Sequence, residues 1–393
     1  MTTSDHAATV FTIGAGPAEI YPEIRSALTR PVALDSDPNF LAAYERTNEK
    51  ATRALRAPTP ALILQSEAIL GIEAAAASLI GKSDTVLNLA SGVYGKGFGY
   101  WAARYCGELL EIEVPYDTCI TAEQVDAKLA DRPDVRVVSV VHHETPTGTL
   151  NPVREIGAAV RARDGLLIVD AVSSFGGMDV HPADIDADIF IAGPGKCLGG
   201  SPGLTLMWVS DRAWDHIDGN PDAPFASILS LKDWREAHRA DKPFPFTPLI
   251  AEINALEVTI DRYLDEGPEN VWRRHDLTAC ACRAGAAAMG LTLWPRDEAI
   301  ASPSLTALRT PDGIDGAALV AEAHRRYGVL LSAGDGDMAA RLVRIGHMGP
   351  TAEPYYAVVA LGALGGALRA LGHAVDIGAG TDAALGVIDG ALA

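Results

Sequence analysis

The sequence predicts an α/β protein: a large domain with a mostly parallel sheet flanked by helices, then a smaller α+β C-terminal domain. Three observations lead there. Between about residues 60 and 215, short apolar runs alternate with stretches that carry apolar residues at helical spacing. The runs are apolar almost throughout, as in strands buried on both faces of a parallel sheet. After residue 215 the character changes, with Pro-rich segments leading into a long helix and then shorter alternating elements.

Taken in order, Ala68 to Ile80 (AILGIEAAAASLI) is Ala-rich with helical periodicity. Thr85 to Leu89 is a short apolar strand that runs into a Gly-rich loop, SGVYGKGFG, with helix resuming at Gly99 to Tyr105. Leu109 to Val114 reads as a strand and Thr121 to Leu129 as a helix. Val135 to Val141 (VRVVSVV) is rich in β-branched residues, which suits a pleated surface. Val153 to Arg163 is helical, and Leu166 to Val169 is a buried strand that ends at Asp170. Asp188 to Ala192 and Leu204 to Val209 complete the sheet. A long helix spans about Leu249 to Glu266, so we divide the chain into 1–255 and 256–393.

Composition narrows the function. The chain has 393 residues, 48% of them apolar, enough for two cores without disulfides. Its 32 basic and 51 acidic residues give a net charge of −19, which argues against a nucleic-acid partner. The five cysteines have no zinc-ligand spacing and read as free thiols. His142 and His143 are adjacent on a strand, where neighbours point to opposite faces, so no metal site is expected. The N-terminal residues show no leader pattern, and the apolar stretch Tyr355 to Leu368 is shorter than the roughly 20 residues that span a bilayer. A cytoplasmic protein without membrane contact is the expectation.

Four strand ends carry polar or Gly-rich sequence: SGVYGKG, HHETPTG, DAVSS and GPGKCLGG. In sheets of this kind the loops at the strand C-termini converge on one site. SGVYGKGFG is out of register with a dinucleotide fingerprint, and Tyr94 would intrude on a pyrophosphate. Asp170 and Lys196 are more telling. A lysine enclosed by glycines can lose its proton and attack a carbonyl, and an acid at the neighbouring strand end can keep a pyridine nitrogen protonated.

GAGP, GIEAAAASLI, ASGVYGKG, HHETPTG, VDAVSSFGG, GPGKCLGGSPG and RIGHMGPT run from residue 14 to 351. In these motifs the chain resembles the class V aminotransferases, the alanine–glyoxylate transaminase group of the fold-type I pyridoxal-phosphate superfamily. The resemblance implies Lys196 as Schiff-base lysine and proton shuttle, and Asp170 as partner of the ring nitrogen. It places Tyr94 and Val172 on the two ring faces and Thr145 near the ring's 3-oxygen. Arg344 would pair with the substrate carboxylate, with His347 packed behind it.

Two departures bear on substrate and cofactor. Glu67, in QSEAI, stands at the helix start where phosphate-binding members carry small and hydroxyl residues; a carboxylate there suits a 5′-hydroxyl better than a phosphate. PFPFTP (Pro243 to Pro248) matches a segment that reaches a neighbouring subunit's phosphate site. The resemblance then implies a transaminase of free pyridoxamine and pyruvate that releases pyridoxal and L-alanine, as in vitamin B6 degradation. No tightly bound cofactor is expected, pyridoxal and pyridoxamine being substrate and product. The alternative is a pyridoxal-phosphate-dependent transaminase of the alanine or serine–glyoxylate type. The second departure is Asp335, where the resemblance implies an arginine assisting the oxo-acid. A homodimer or homotetramer is implied.

Overall fold

The computed structural model describes residues 8–242 and 244–392. A seven-stranded sheet lies at its centre. In spatial order the strands are Leu62–Leu64, Thr205–Val209, Ile189–Ala192, Leu166–Asp170, Val135–Val141, Thr85–Ala90 and Glu108–Glu113. The last five run parallel to one another, while Thr205–Val209 runs against both its neighbours. The sheet is therefore mixed but mostly parallel, as the unbroken apolar runs imply.

Side chains explain why. Along Leu166–Asp170, Leu167 and Val169 join the core on one face, and Leu166 and Ile168 join the core on the other. Val137 and Val138 divide the same way. A strand wanted by two cores has no polar face to offer, so its sequence cannot alternate. Crossover helices such as Ala68–Leu79, Ala122–Asp131 and Val153–Ala162 cover those faces. Ala122–Asp131 starts at a capping box in which Thr121 and Gln124 satisfy each other's backbone N–H.

One element differs from expectation. The Gly-rich segment is not a loop: the helix Val93–Tyr105 already begins at Val93 and includes Gly95, Gly97 and Gly99. Glycine disfavours helix by about 1 kcal/mol per residue, but here tertiary packing overrides that cost. A Cβ on Gly95 would lie 2.7 Å from the Leu89 carbonyl oxygen and 2.9 Å from Glu144 Oε1, so only glycine lets this helix sit so close to the sheet.

A second sheet, in the order Leu305–Arg309, Leu342–Gly346, Ser332–Ala333, is antiparallel. The helices Pro268–Ala288, Gly316–Tyr327 and Tyr355–Ala370 cover it around a separate core. Tyr355–Ala370 buries Ala357, Leu361, Leu364 and Leu368 completely, as expected for this apolar stretch. The helix Ile250–Glu266 packs its apolar side on the large sheet's core. The N-terminal strand Phe11–Thr12 pairs in parallel with Val329–Leu330, far along the chain. Among the described residues, no helix is long and apolar enough to cross a membrane.

Candidate active site

Lys196 lies in the turn after Ile189–Ala192, where Gly199 adopts a positive φ of 65°. The N-terminal segment passes directly over its amine. At Gly16, with φ 109°, a Cβ would collide with Lys196 Nζ. Burial pushes the amine's pKa down, against the attraction of Glu67, Cys197 and Asp170. A cleft opens beside it, lined by Lys196, Glu67, Ala68, Val172 and Pro17 among others.

Asp170 ends the neighbouring strand, and its Oδ1 accepts from the Val172 backbone N–H at 2.9 Å. Burial lifts its pKa to about 6, with Lys196 pulling it down and Glu67 pushing it up. With a pKa of about 6 the group is mostly ionised at neutral pH, and a carboxylate in this place can accept a hydrogen bond from a protonated ring nitrogen. The same short turn therefore places Asp170 at one cavity wall and Val172 at the next. Asp170 also lines a small apolar pocket with Tyr94, Ile69, Phe98 and Trp101.

Tyr94 stands in the first turn of Val93–Tyr105 and is 39% exposed. Its hydroxyl pKa is raised by burial first and then by Asp335, while Arg344 opposes. The helix has no capping side chain of its own. Glu144, fully buried, serves instead: its two oxygens accept from Tyr94 N at 3.1 Å and Gly95 N at 2.6 Å. Burial raises Glu144 to about 7, and Asp170 adds to the rise. Sequence reading gave this residue no role, because nothing in HHETPTG reveals which helix its glutamate will cap.

Glu144 carries a stability prediction. A folded-state pKa raised from 4.5 to about 7 makes the acid's contribution complete below pH 4.5 and lost as the pH rises through 7. Glu144→Gln turns an amide NH2 towards one of the two backbone N–H groups, whereas the hydroxyl oxygen of the neutral carboxyl can still accept there with its proton turned away. The cost is on the order of 1–3 kcal/mol. The variant should melt several degrees below wild type at pH 5. The gap should narrow by pH 8, because only the wild type loses the Glu144 contribution between. Thermal denaturation at both pH values tests this; a gap that widens with pH contradicts the buried, proton-holding carboxyl.

Thr145 is buried, donates its hydroxyl to Ser173 Oγ at 2.5 Å, and offers its carbonyl to Arg344 Nη1 at 3.1 Å. Arg344 also donates through Nε and Nη2 to the Ala333 carbonyl, at 3.0 and 2.7 Å. Its Nη2 lies 3.2 Å from Asp335 Oδ2. His347 is fully buried with Nε2 2.8 Å from Thr306 Oγ1.

Glu67 caps the helix Ala68–Leu79, its Oε2 accepting from Ile69 N at 2.9 Å. Its neighbour Gln65 donates to the Thr247 carbonyl at 2.9 Å and accepts from Leu249 N, which ties the Pro-rich segment to the cleft edge. Pro243 lies outside the described residues. Phe244 turns into the chain's own core against Tyr44, Phe40 and Trp234, and Phe246 packs on Trp234. The structure thus gathers Glu67, Tyr94, Thr145, Asp170, Val172, Lys196 and Arg344 about one region. His142 sits at a bend between strands rather than on one; it and His143 are buried, with pKa values pushed down to about 4 and about 3. No group of three or more potential metal ligands occurs among the described residues. Cys106, Cys197 and Cys282 are buried free thiols, and Cys119 and Cys280 are partly exposed ones.

The family model for class-V aminotransferases matches residues 20–353. A pyridoxamine–pyruvate transaminase of Mesorhizobium japonicum is 57% identical over 385 residues, covering 98% of both chains. The crystal structure of pyridoxamine–pyruvate aminotransferase from Mesorhizobium loti superposes with a TM-score of 0.97 at 56% identity, over 99% of this chain and all of that one. The ureidoglycine–glyoxylate aminotransferase of Bacillus subtilis superposes at 0.92 with 27% identity, over 99% of this chain and all of that one.

These likenesses correct one expectation. Class-V aminotransferases are pyridoxal-phosphate-dependent, so pyridoxal phosphate is a bound cofactor, and the expectation of none tightly bound is overturned. That expectation leaned on the charge of Glu67. In the structure Glu67 is solvent-exposed and already turned onto a backbone N–H, so water and the helix end screen it. The residues present fit the group: a buried amine under a glycine that leaves it room, a carboxylate at the next strand end, and a cleft between the amine and a helix N-terminus.

Proposed function

The chain belongs to the class-V aminotransferase family, and on that premise we propose that it transfers the amino group of pyridoxamine to pyruvate, giving pyridoxal and L-alanine. It is an enzyme, a transaminase acting on small molecules. The observation that carries the substrate pair is the end-to-end likeness to the Mesorhizobium enzyme.

Each residue then has a task. Arg344 anchors the oxo-acid carboxylate, because a guanidinium fork matches two oxygens. Asp170 keeps a proton on the pyridine nitrogen. Tyr94 and Val172 hold the ring between them, Thr145 stands at its 3-oxygen side, and Glu67 meets its 5′ end. Lys196, with its pKa lowered by burial, takes a proton from the carbon bearing the amine and returns it to the former keto carbon. The nitrogen ends on alanine and the oxygen on pyridoxal. Pyridoxal phosphate, when bound, supplies a ring that accepts the electron pair left by a broken C–H bond.

We further propose that residues 1–255 form the ring-binding unit and 256–393 the smaller unit, that the protein is a homodimer or homotetramer, and that it works in the cytoplasm. Exposed Ile69, Leu70 and Tyr94 beside the cleft support a subunit contact there.

The test supplies pyridoxamine and pyruvate to the purified protein and quantifies pyridoxal and alanine. Many turnovers per chain are expected. Turnover of alanine with glyoxylate, and none of pyridoxamine, would overturn the proposal in favour of a conventional amino-acid transaminase.

A further inference from the structure

We infer that Asp335 sets acceptor specificity: its carboxylate occupies Arg344 and rejects oxo-acids that carry a second carboxylate. This rests on Arg344 as the oxo-acid anchor. The guanidinium is held in plane by two neutral acceptors, the carbonyls of Ala333 and Thr145. They fix its orientation and leave its charge uncompensated. Asp335 supplies the compensating charge, 3.2 Å from Nη2. An incoming carboxylate needs that same nitrogen, so the two compete.

Asp335 is built to yield. It precedes the short turn Gly336–Met338, Gly334 and Gly336 flank it, and Gly336 has φ 53°. Its side chain is 47% exposed, whereas that of Arg344 is 9% exposed. Displacement therefore moves a carboxylate from a half-wet position into water, at little desolvation cost. The arginine does not move.

Once displaced, Asp335 remains tethered at the rim. One substrate carboxylate on Arg344 leaves a single surplus negative charge, that of Asp335. A second carboxylate adds another, in a region where Glu67 and Asp170 are also acidic and Lys196 is the other nearby base. Repulsion built against the wrong partner is how such discrimination is commonly achieved. The filter acts on charge, so a neutral tail of equal length escapes it.

The experiment compares wild type with Asp335→Asn, which keeps the size and loses the charge. Three acceptors are used with saturating pyridoxamine: pyruvate, 2-oxoglutarate and 2-oxopentanoate, the last two having equal chain length. In the variant, kcat/KM for 2-oxoglutarate should rise roughly tenfold more than for 2-oxopentanoate, a change of about 1.4 kcal/mol in discrimination. KM for pyruvate should fall severalfold, with kcat changing by less than about twofold. Asp335→Ser should repeat the pattern. Equal changes for the two longer acids, or a higher KM for pyruvate, would overturn the inference while wild-type turnover of pyridoxamine leaves the parent reading standing. A wild type that makes no pyridoxal with any acceptor overturns both.

Discussion

Lys196→Ala should lower kcat for amino transfer by on the order of 10⁴-fold. A positioned proton-transfer group contributes roughly 10²–10⁴-fold by itself, and this side chain is also the amine that can join a carbonyl covalently. Loss of fold is not the expected cause. Lys196 packs under Gly16 in a cleft that tolerates a smaller side chain, and the variant removes a partly buried charge. The chemical readout is separate from the kinetic one. Pyridoxal followed by borohydride should label the wild type on the peptide that contains residue 196, and the variant not at all. A small added amine should restore part of the activity by supplying the missing base. A variant that keeps more than about a tenth of wild-type activity would remove Lys196 from the chemistry.

Arg344 produces the second largest effect, in binding rather than rate. Charge-assisted hydrogen bonds of this kind contribute about 1.5–3 kcal/mol, so Arg344→Lys should raise KM for pyruvate by roughly 10- to 100-fold. KM for pyridoxamine should stay within about threefold. Lysine keeps the charge and loses the planar fork. It also leaves the Thr145 and Ala333 carbonyls with fewer donors. A merely structural arginine would raise both KM values together, and that result would sink its assignment to the oxo-acid.

Strands were legible in the sequence because their side chains answer to two cores at once. Val135 to Val141 was placed without error, and Leu166 to Val169 to within one residue. Lys196 and Asp170 could be found because strand C-termini in such sheets converge whatever the intervening sequence. The helix start at Val93 could not, since its cap comes from Glu144, 50 residues on from Tyr94. The Asp335–Arg344 contact was hidden for a related reason: two charges nine positions apart meet only because the chain turns back at Gly336. The cofactor expectation failed at Glu67, where residue identity gave the charge and only the fold gave its exposure and its backbone partner.

The strand Phe11–Thr12 has a consequence in time. Residues 13–17 cross above Lys196, yet they are pinned from the far end of the chain: Phe11 pairs with Val329, and Ala15 N donates to Ser332 Oγ across 317 residues. A ribosome adding roughly 5–20 residues per second needs about 15–60 s to cover that interval. The large sheet, complete at Val209, can form well before then with its lysine uncovered. The roof over the amine closes only when translation is nearly finished, so a nascent or truncated chain presents a reactive lysine without its enclosure.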